Sequence, residues 1–172
     1  QLASYDLIYV SGISVAILPQ TARLAFLDWL NETPVKLAYD SNYRPGLWES
    51  KQIAREITAA FWARADICLP SADDEMALFD CSAVQVKHRF REAHGALKQG
   101  ATGPMSLGIE VNQTYPPASL VLDTTAAGDS FNGAYLAAIL QGSSQKAALM
   151  AGHKCAAKVV GYRGAIVPAG YQ

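Results

Sequence analysis

The sequence predicts an α/β fold in which helices flank a mostly parallel sheet. Short apolar segments typical of strands alternate with segments whose apolar residues recur at helical spacing, and short polar links join them. The 172 residues, of which 51% are hydrophobic and 17% charged, suit a single globular domain. Ligands bind such sheets at the carboxyl ends of their strands, so polar residues at those positions are the first candidates for a site.

The first half of the chain predicts three strands and four helices. Apolar runs indicate the strands, apolar residues three and four apart indicate the helices, and Ser50 and Ser71 are suited to cap two of them. The helix before the second strand is expected to bury Leu24, Leu27 and Leu30. The predicted elements are strand Asp6–Val10, helix Thr21–Leu30, strand Lys36–Tyr39, helix Ser50–Ala63, strand Asp66–Leu69, helix Ser71–Phe79 and helix Val84–His94.

From Gly95 the pattern is less regular. A small-residue loop is followed by two short apolar segments and then by two helices, the second of which begins after Ser143 or Ser144 and stops at Gly161. The tail from Tyr162 is expected to be a loop or an edge strand. The predicted elements are strands Met105–Val111 and Ser119–Leu122, helix Ala126–Leu140 and a last helix to about Val160.

The junction between the strand at 119–122 and the helix that follows predicts an anion site. The first N–H groups of a helix lack intrahelical partners, and the macrodipole adds partial positive charge there, which suits phosphate. We expect the N–H groups of Ala126, Ala127, Gly128 and Asp129 to form this site, because Gly128 lets a ligand approach the backbone. Asp129 would then stand beside the bound anion.

Composition and charge argue against several classes of protein. A formal net charge of -1 gives no electrostatic case for nucleic acid or an acidic membrane surface, and no apolar run is long enough to span a bilayer. Cys68, Cys81 and Cys155 form no CxxC pair, so we expect reduced thiols and a cytoplasmic location. The three histidines have no zinc-ligand spacing.

The nine residues Asp123–Phe131 resemble the C-terminal signature of the ribokinase/PfkB carbohydrate kinases. Tyr5–Ser14, Asp40–Trp48 and Tyr162–Pro168 resemble the members that act on 2-keto-3-deoxygluconate. The resemblance implies a ribokinase-like three-layer αβα fold, of which residues 1–172 are the C-terminal portion without the N-terminal strands and the lid. The segments Leu30–Val35 and Gly95–Lys98 look short for the family, and the second leaves room for almost nothing of a complete strand. We interpret both as places where residues are omitted from the sequence.

The family activity would be transfer of the ATP γ-phosphate, with Mg²⁺, to the terminal hydroxyl of a sugar acid. By resemblance, Asp129 is the catalytic base and also contacts the substrate. Arg44 is the candidate ligand of the sugar carboxylate, because guanidinium binds carboxylate in bidentate fashion, and Asn42 is a weaker candidate nearby. The residues expected to border the nucleotide are Ser71, Gly100, Ala101, Thr102 and Gly103.

Two metal sites follow from the resemblance alone. Asp74 and Glu75 occupy the place of a motif that helps hold Mg²⁺ through water, although Ser71 to Asp74 also fit a capping box, which we favour. Asp123 and Gly164 are candidates for a monovalent cation such as K⁺.

The small-molecule partners would be a sugar acid and ATP, and a homo-oligomer is compatible with the family. Two alternatives stay open: another sugar kinase of the family, such as a fructokinase, and a non-catalytic nucleotide-binding remnant.

Overall fold

A computed structural model describes residues 2–168 of the chain, which divides into two compact units, Gln1–Leu97 and Lys98–Gln172. None of the helices within residues 2–168 has the length and hydropathy needed to cross a membrane. The strands are β1 (Leu7–Ser11), β2 (Lys36–Asp40), β3 (Ile67–Cys68), β4 (Gly95–Leu97) and β5 (Met105–Leu107). The helices are α1 (Gly12–Ala16), α2 (Gln20–Glu32), α3 (Lys51–Arg64), α4 (Ala72–Phe79), α5 (Ala83–Arg89), α6 (Ala127–Leu140) and α7 (Gln145–Val159).

The first unit is built on a parallel sheet in the order β1-β2-β3-β4. Its register pairs Ile8 with Leu37, and further along the sheet it pairs Cys68 with Gly95. The predicted mostly parallel sheet is therefore confirmed. The segment that looks short for the family forms the three-residue β4, which pairs with a β3 that is itself only two residues long. The interpretation that residues are omitted there stays a prediction.

Side-chain caps begin α3 and α4, two of the predicted helices of the first unit. Ser50 accepts a hydrogen bond from the N–H of Ile53 at 3.1 Å, and Ser71 accepts one from that of Asp74 at 3.5 Å. Both satisfy N–H groups that a helix leaves without partners. The helix predicted to reach His94 instead ends at Arg89. The chain turns there, with the N–H of Ala93 bonded to the Phe90 carbonyl at 3.1 Å.

The buried face of α2 differs from the prediction, because Leu24 is 45% exposed and Arg23 is 2% exposed. Arg23 donates from Nε to the Val15 carbonyl at 3.0 Å and from Nη2 to the Ala16 carbonyl at 2.6 Å. Its Nη1 donates to Glu49 at 2.9 Å. A buried guanidinium is tolerated only when its donors are satisfied, and here three of its nitrogens have acceptors.

The core of the first unit brings the end of β2 against neighbouring elements. The Tyr39 ring lies 5.2 Å from that of Phe61 and 4.6 Å from that of Trp62, measured between centroids. Just beyond the same end of the strand, a Cβ added to Gly12 would lie 1.8 Å from the carbonyl oxygen of Ser41. The start of α1 therefore touches the start of the loop that follows β2.

The short connection between α2 and β2 is held by one arginine. Arg64 donates to the carbonyl oxygens of Leu30 and Val35, both at 2.8 Å, and bonds the carboxylate of Asp66 at the same distance. Asp66 also accepts from the N–H of Leu37 at 2.8 Å. The connection is thus tied to both of the elements that it joins.

In the second unit, α6 packs against α7. A Cβ at Gly152 would lie 2.7 Å from the Phe131 ring, so the two helices approach closely at this glycine. The side chain of Ser144 caps α7, which decides between the two predicted caps. β5 ends at Leu107, four residues before the predicted end, because Gly108 turns the chain with a φ of 86°.

The strand predicted at Ser119–Leu122 does not form. The N–H of Leu122 donates to the carbonyl of Val160, at the end of α7, over 2.7 Å, and the side chains of Leu120, Val121 and Leu122 are 52%, 60% and 54% exposed. A strand requires a neighbouring strand to which its backbone is hydrogen-bonded, whereas the backbone of this segment is bonded to the end of α7. No strand occurs from Tyr162 to Pro168, so that part of the tail is a loop.

Candidate functional site

The turn before α6 is organised by the carboxylate of Asp123. Its Oδ1 accepts from the Thr125 N–H at 2.9 Å and from the Thr125 hydroxyl at 2.6 Å, while Oδ2 accepts from the N–H of Gly164 at 2.8 Å. These bonds, those from Thr125 above all, lower the pKa of Asp123 to about 2. The two residues expected to hold a monovalent cation thus meet, but through a hydrogen bond donated by Gly164.

The first turn of α6 leaves backbone donors beside this turn. Ala126 adopts the left-handed conformation, with φ of 60°, and the N–H of Ala127 donates to the Thr124 carbonyl at 3.2 Å. Within residues 2–168, the N–H groups of Ala126, Gly128 and Asp129 donate to no protein acceptor. The carboxylate of Asp129 is exposed on the same turn. One of the predicted donors is therefore used by the protein, and three are available to an anion.

Lys98 supplies a positive charge at this turn, and the sequence analysis did not single it out. Its Nζ donates to Oδ1 of the buried Asn132 at 3.2 Å and lies 3.8 Å from the position that a Cβ on Gly128 would occupy. Lys98 directly follows β4, at the carboxyl end of a parallel strand. Ligands bind at the carboxyl ends of parallel strands, so this position next to the loop at 100–103 could have identified Lys98 from the sequence.

The predicted nucleotide loop is a single 3-10 turn, Gly100–Thr102. Gly100 and Gly103 have φ of 56° and 88°, which L side chains rarely adopt. The Tyr115 ring covers Gly103, 2.5 Å from its hypothetical Cβ, and lies 4.9 Å from the His153 ring, centroid to centroid. His153 Nε2 bonds the carbonyl of Pro116 at 2.7 Å, which fits a packed histidine.

In the first unit, the loop after β2 presents Arg44. The loop begins with the Asn42 N–H donating to Asp40 Oδ1 at 3.1 Å, and it rests on the buried side chains of Tyr43 and Trp48. Between these two aromatic residues the chain is exposed, and the Arg44 side chain is 53% accessible. The guanidinium is therefore held at the surface by a loop that is anchored on both sides.

Asp74 and Glu75, the predicted Mg²⁺ pair, have different environments. Glu75 is fully buried and accepts hydrogen bonds from Trp62 Nε1 and Arg89 Nη1, both at 3.1 Å. Burial raises the pKa of Glu75 to about 7, even though Arg89 and the hydrogen bonds oppose the change. Asp74 instead accepts from Arg44 Nη1 at 3.5 Å. Within residues 2–168, no group of three or more His, Cys, Asp or Glu residues is placed to hold a metal ion.

Similarity to known proteins agrees with this fold. Aminoimidazole riboside kinase from Salmonella enterica, solved with aminoimidazole riboside and an ATP analogue, aligns with a TM-score of 0.78 and 26% identity. The alignment covers 94% of this chain and 58% of that one. A fructokinase from Vibrio cholerae O395, solved with fructose, ADP and calcium, shares the fold at a TM-score of 0.72 and 22% identity, over 92% of this chain and 56% of that one.

The fold class is thus the three-layer α/β fold of the ribokinase-like sugar kinases. Residues 1–170 match the pfkB family carbohydrate kinase domain, and the chain belongs to that family. It is 39% identical to 2-dehydro-3-deoxygluconokinase of Dickeya dadantii (strain 3937) and 38% identical to that of Escherichia coli (strain K12). Each match covers 98% of this chain and 58% of the relative, so the chain spans less than two thirds of the length of these relatives.

Proposed function

We propose that the protein to which this chain belongs is an ATP-dependent kinase of 2-keto-3-deoxygluconate, forming 2-keto-3-deoxy-6-phosphogluconate. The observation that carries the proposal is the first turn of α6, where three backbone N–H groups that have no protein acceptor among residues 2–168 stand beside Asp129 and Lys98. The similarity to two 2-dehydro-3-deoxygluconokinases supports the choice of substrate. The free thiols Cys68, Cys81 and Cys155 are compatible with a cytoplasmic location.

Phosphoryl transfer requires positioned reactants, stabilised charge on the transferred group and an acceptor for the proton of the attacking hydroxyl. We assign the proton to the carboxylate of Asp129. The N–H groups of Gly128 and Asp129, with the ammonium of Lys98, would bind the phosphate oxygens, because preorganised donors stabilise the charge of the transition state. We assign the nucleotide to the glycine turn at 100–103, with Ser71 as a further candidate.

Mg²⁺ would neutralise charge on the nucleotide phosphates when bound. It usually keeps several waters and needs only one or two protein carboxylates, so the absence of a three-residue cluster within residues 2–168 is compatible with it. For the two predicted residues the metal contact stays a prediction of the resemblance, because both carboxylate oxygens of Glu75 are bonded inside the protein and Asp74 Oδ1 accepts from Arg44 Nη1 at 3.5 Å. The K⁺ site at Asp123 and Gly164 stays a prediction.

Arg44 is the residue that would select an acidic sugar. Its guanidinium is half-exposed on an anchored loop, and hydrogen bonds between charged groups are worth about 1.5–3 kcal/mol. We therefore expect Arg44→Ala to raise the KM for 2-keto-3-deoxygluconate by roughly 10- to 150-fold. A neutral sugar, which has no carboxylate to lose, should be affected much less. Asn42, at the base of the loop, is a weaker candidate for the same pocket.

The test uses the full-length protein and measures ADP release with 2-keto-3-deoxygluconate or fructose as the acceptor. We expect the sugar acid to be preferred and Asp129→Asn to abolish turnover while nucleotide binding is retained. A preference for fructose would favour the fructokinase alternative. Sugar-dependent turnover that is unchanged in Asp129→Asn would refute the mechanism, and nucleotide binding without turnover on either sugar would favour a non-catalytic role.

A further inference from the structure

We propose that Asp74 is a positioning residue that orients Arg44 toward the substrate carboxylate, and so contributes to the preference for an acidic sugar. The inference rests on the proposed function, because it concerns the same sugar-acid site. It gives Asp74 a role other than the metal contact that the family resemblance implies. The loop after β2 and the first turn of α4 both belong to the first unit, so the pair is described within one compact body.

The contacts of Arg44 are confined to one corner of its guanidinium. Nη1 donates to the Tyr43 carbonyl at 2.8 Å and to Asp74 Oδ1 at 3.5 Å. Within residues 2–168, Nε and Nη2 donate to no protein acceptor. Guanidinium binds a carboxylate through two parallel N–H donors, and the Nε–Nη2 edge offers such a pair. With Nη1 occupied, that edge is the part of Arg44 that remains for the sugar acid.

Asp74 is itself well placed to hold Nη1. Its side chain is 22% exposed, whereas that of Arg44 is 53% exposed, so the acid is the more fixed of the two partners. Its N–H is capped by the Ser71 hydroxyl, and the next residue, Glu75, is buried against Trp62 and Arg89. The first turn of α4 is therefore anchored on both sides of Asp74. A fixed carboxylate reduces the number of orientations that a long, half-exposed arginine samples in the free protein.

The chain offers a matched control in Asp73. It also lies in the first turn of α4 and carries the same charge, but it is exposed and has no ion pair within residues 2–168. Replacing either residue by alanine removes one acidic group from the helix N-terminus and so changes the interaction with the macrodipole similarly. Only Asp74→Ala removes the contact with Arg44.

We expect Asp74→Ala to raise the KM for 2-keto-3-deoxygluconate about two- to fivefold, the range that half-exposed ion pairs account for. The kcat, the KM for ATP and the Mg²⁺ concentration giving half-maximal rate should stay within about twofold of wild type, since the pair acts on one substrate only. Asp73→Ala should leave all four quantities unchanged, and Asp74→Glu should restore part of the lost affinity.

A double-mutant cycle with Arg44→Ala separates orientation from general structural damage. If Asp74 acts through Arg44, Asp74→Ala should have no further effect on the KM for the sugar acid once Arg44 is absent. An equal effect in both backgrounds overturns the inference. So does a variant whose Mg²⁺ requirement rises while the KM for the sugar acid stays constant, which would assign Asp74 to the metal. Wild-type protein that does not phosphorylate the sugar acid contradicts the proposed function itself, a distinct result.

Discussion

Gly12→Ala should damage the first unit and the Arg44 loop together. The added Cβ would lie 1.8 Å from the Ser41 carbonyl oxygen, which is 1.6 Å short of the 3.4 Å at which ordinary contact begins. Overpacking costs about 1–3 kcal/mol where side chains can adjust, and occasionally more. Here both the added atom and its neighbour are fixed to the backbone, so we expect a loss of at least about 3 kcal/mol in the free energy of unfolding.

Gly46 provides the matched control for this substitution. It lies in the loop that Ser41 begins, and a Cβ there would meet nothing within 4 Å. Gly46→Ala should therefore change the free energy of unfolding by no more than about 0.5 kcal/mol. Urea denaturation of both variants at constant m-value measures the difference. Equal midpoints for Gly12→Ala and Gly46→Ala would refute the steric reasoning.

Two further predictions concern buried charge and phosphate binding. Because the folded pKa of Glu75 is about 7 and the ordinary value is 4.5, the folded chain retains a proton that the unfolded chain loses between these values. This contribution to stability should decline as pH rises from 4.5 to 7. Urea midpoints measured across that range should show the decline in the wild type and not in Glu75→Gln. A Glu75→Gln variant with the wild-type pH dependence would contradict the raised pKa of Glu75. Lys98→Met, which keeps the length of the stem, should lower kcat about 100-fold with little change in the KM for the sugar, as expected for loss of a group that stabilises the transition state. Steady-state kinetics at saturating ATP decide this, and an unaltered kcat would exclude Lys98 from the proposed phosphate site.

The helices were the most predictable part of the fold. Ser50, Ser71 and Ser144 cap α3, α4 and α7 because a hydroxyl next to orphan N–H groups is a local arrangement that the sequence itself specifies. The start of α6 was predictable for the same reason, because the residues that specify it, Asp123–Phe131, are contiguous in the sequence. Local chemistry of this kind needs no knowledge of what the rest of the chain does.

Several of the failures depended on partners that lie outside the segment being predicted. Arg23 displaces Leu24 from the buried face of α2 because carbonyl groups of α1 accept its protons, and hydrophobic spacing contains no information about such acceptors. Ser119–Leu122 has the composition of a strand but pairs with the end of α7. Sequence reasoning also missed Lys98, whose significance depends on Gly128 thirty residues later.

Within the candidate site, residue types were predicted better than their environments. Asp74 and Glu75 are adjacent carboxylates in the sequence, yet one faces Arg44 and the other is enclosed by Trp62 and Arg89. Successive residues of a helix point about 100° apart, so neighbours in the chain need not share surroundings. Only the packing of α4 distinguishes the partly exposed carboxylate of Asp74 from the buried carboxylate of Glu75.

The bond between Asp123 and the Gly164 N–H joins positions 41 residues apart and ties the loop after α7 to the turn before α6. The amide hydrogen of Gly164 should consequently exchange with solvent at a rate set by how often that turn opens, rather than by its own exposure. A ligand that stabilises the turn would slow this exchange, while one that draws the Asp123 carboxylate away would accelerate it. A single amide in a surface loop would thereby report on occupancy of the proposed phosphate site next to it.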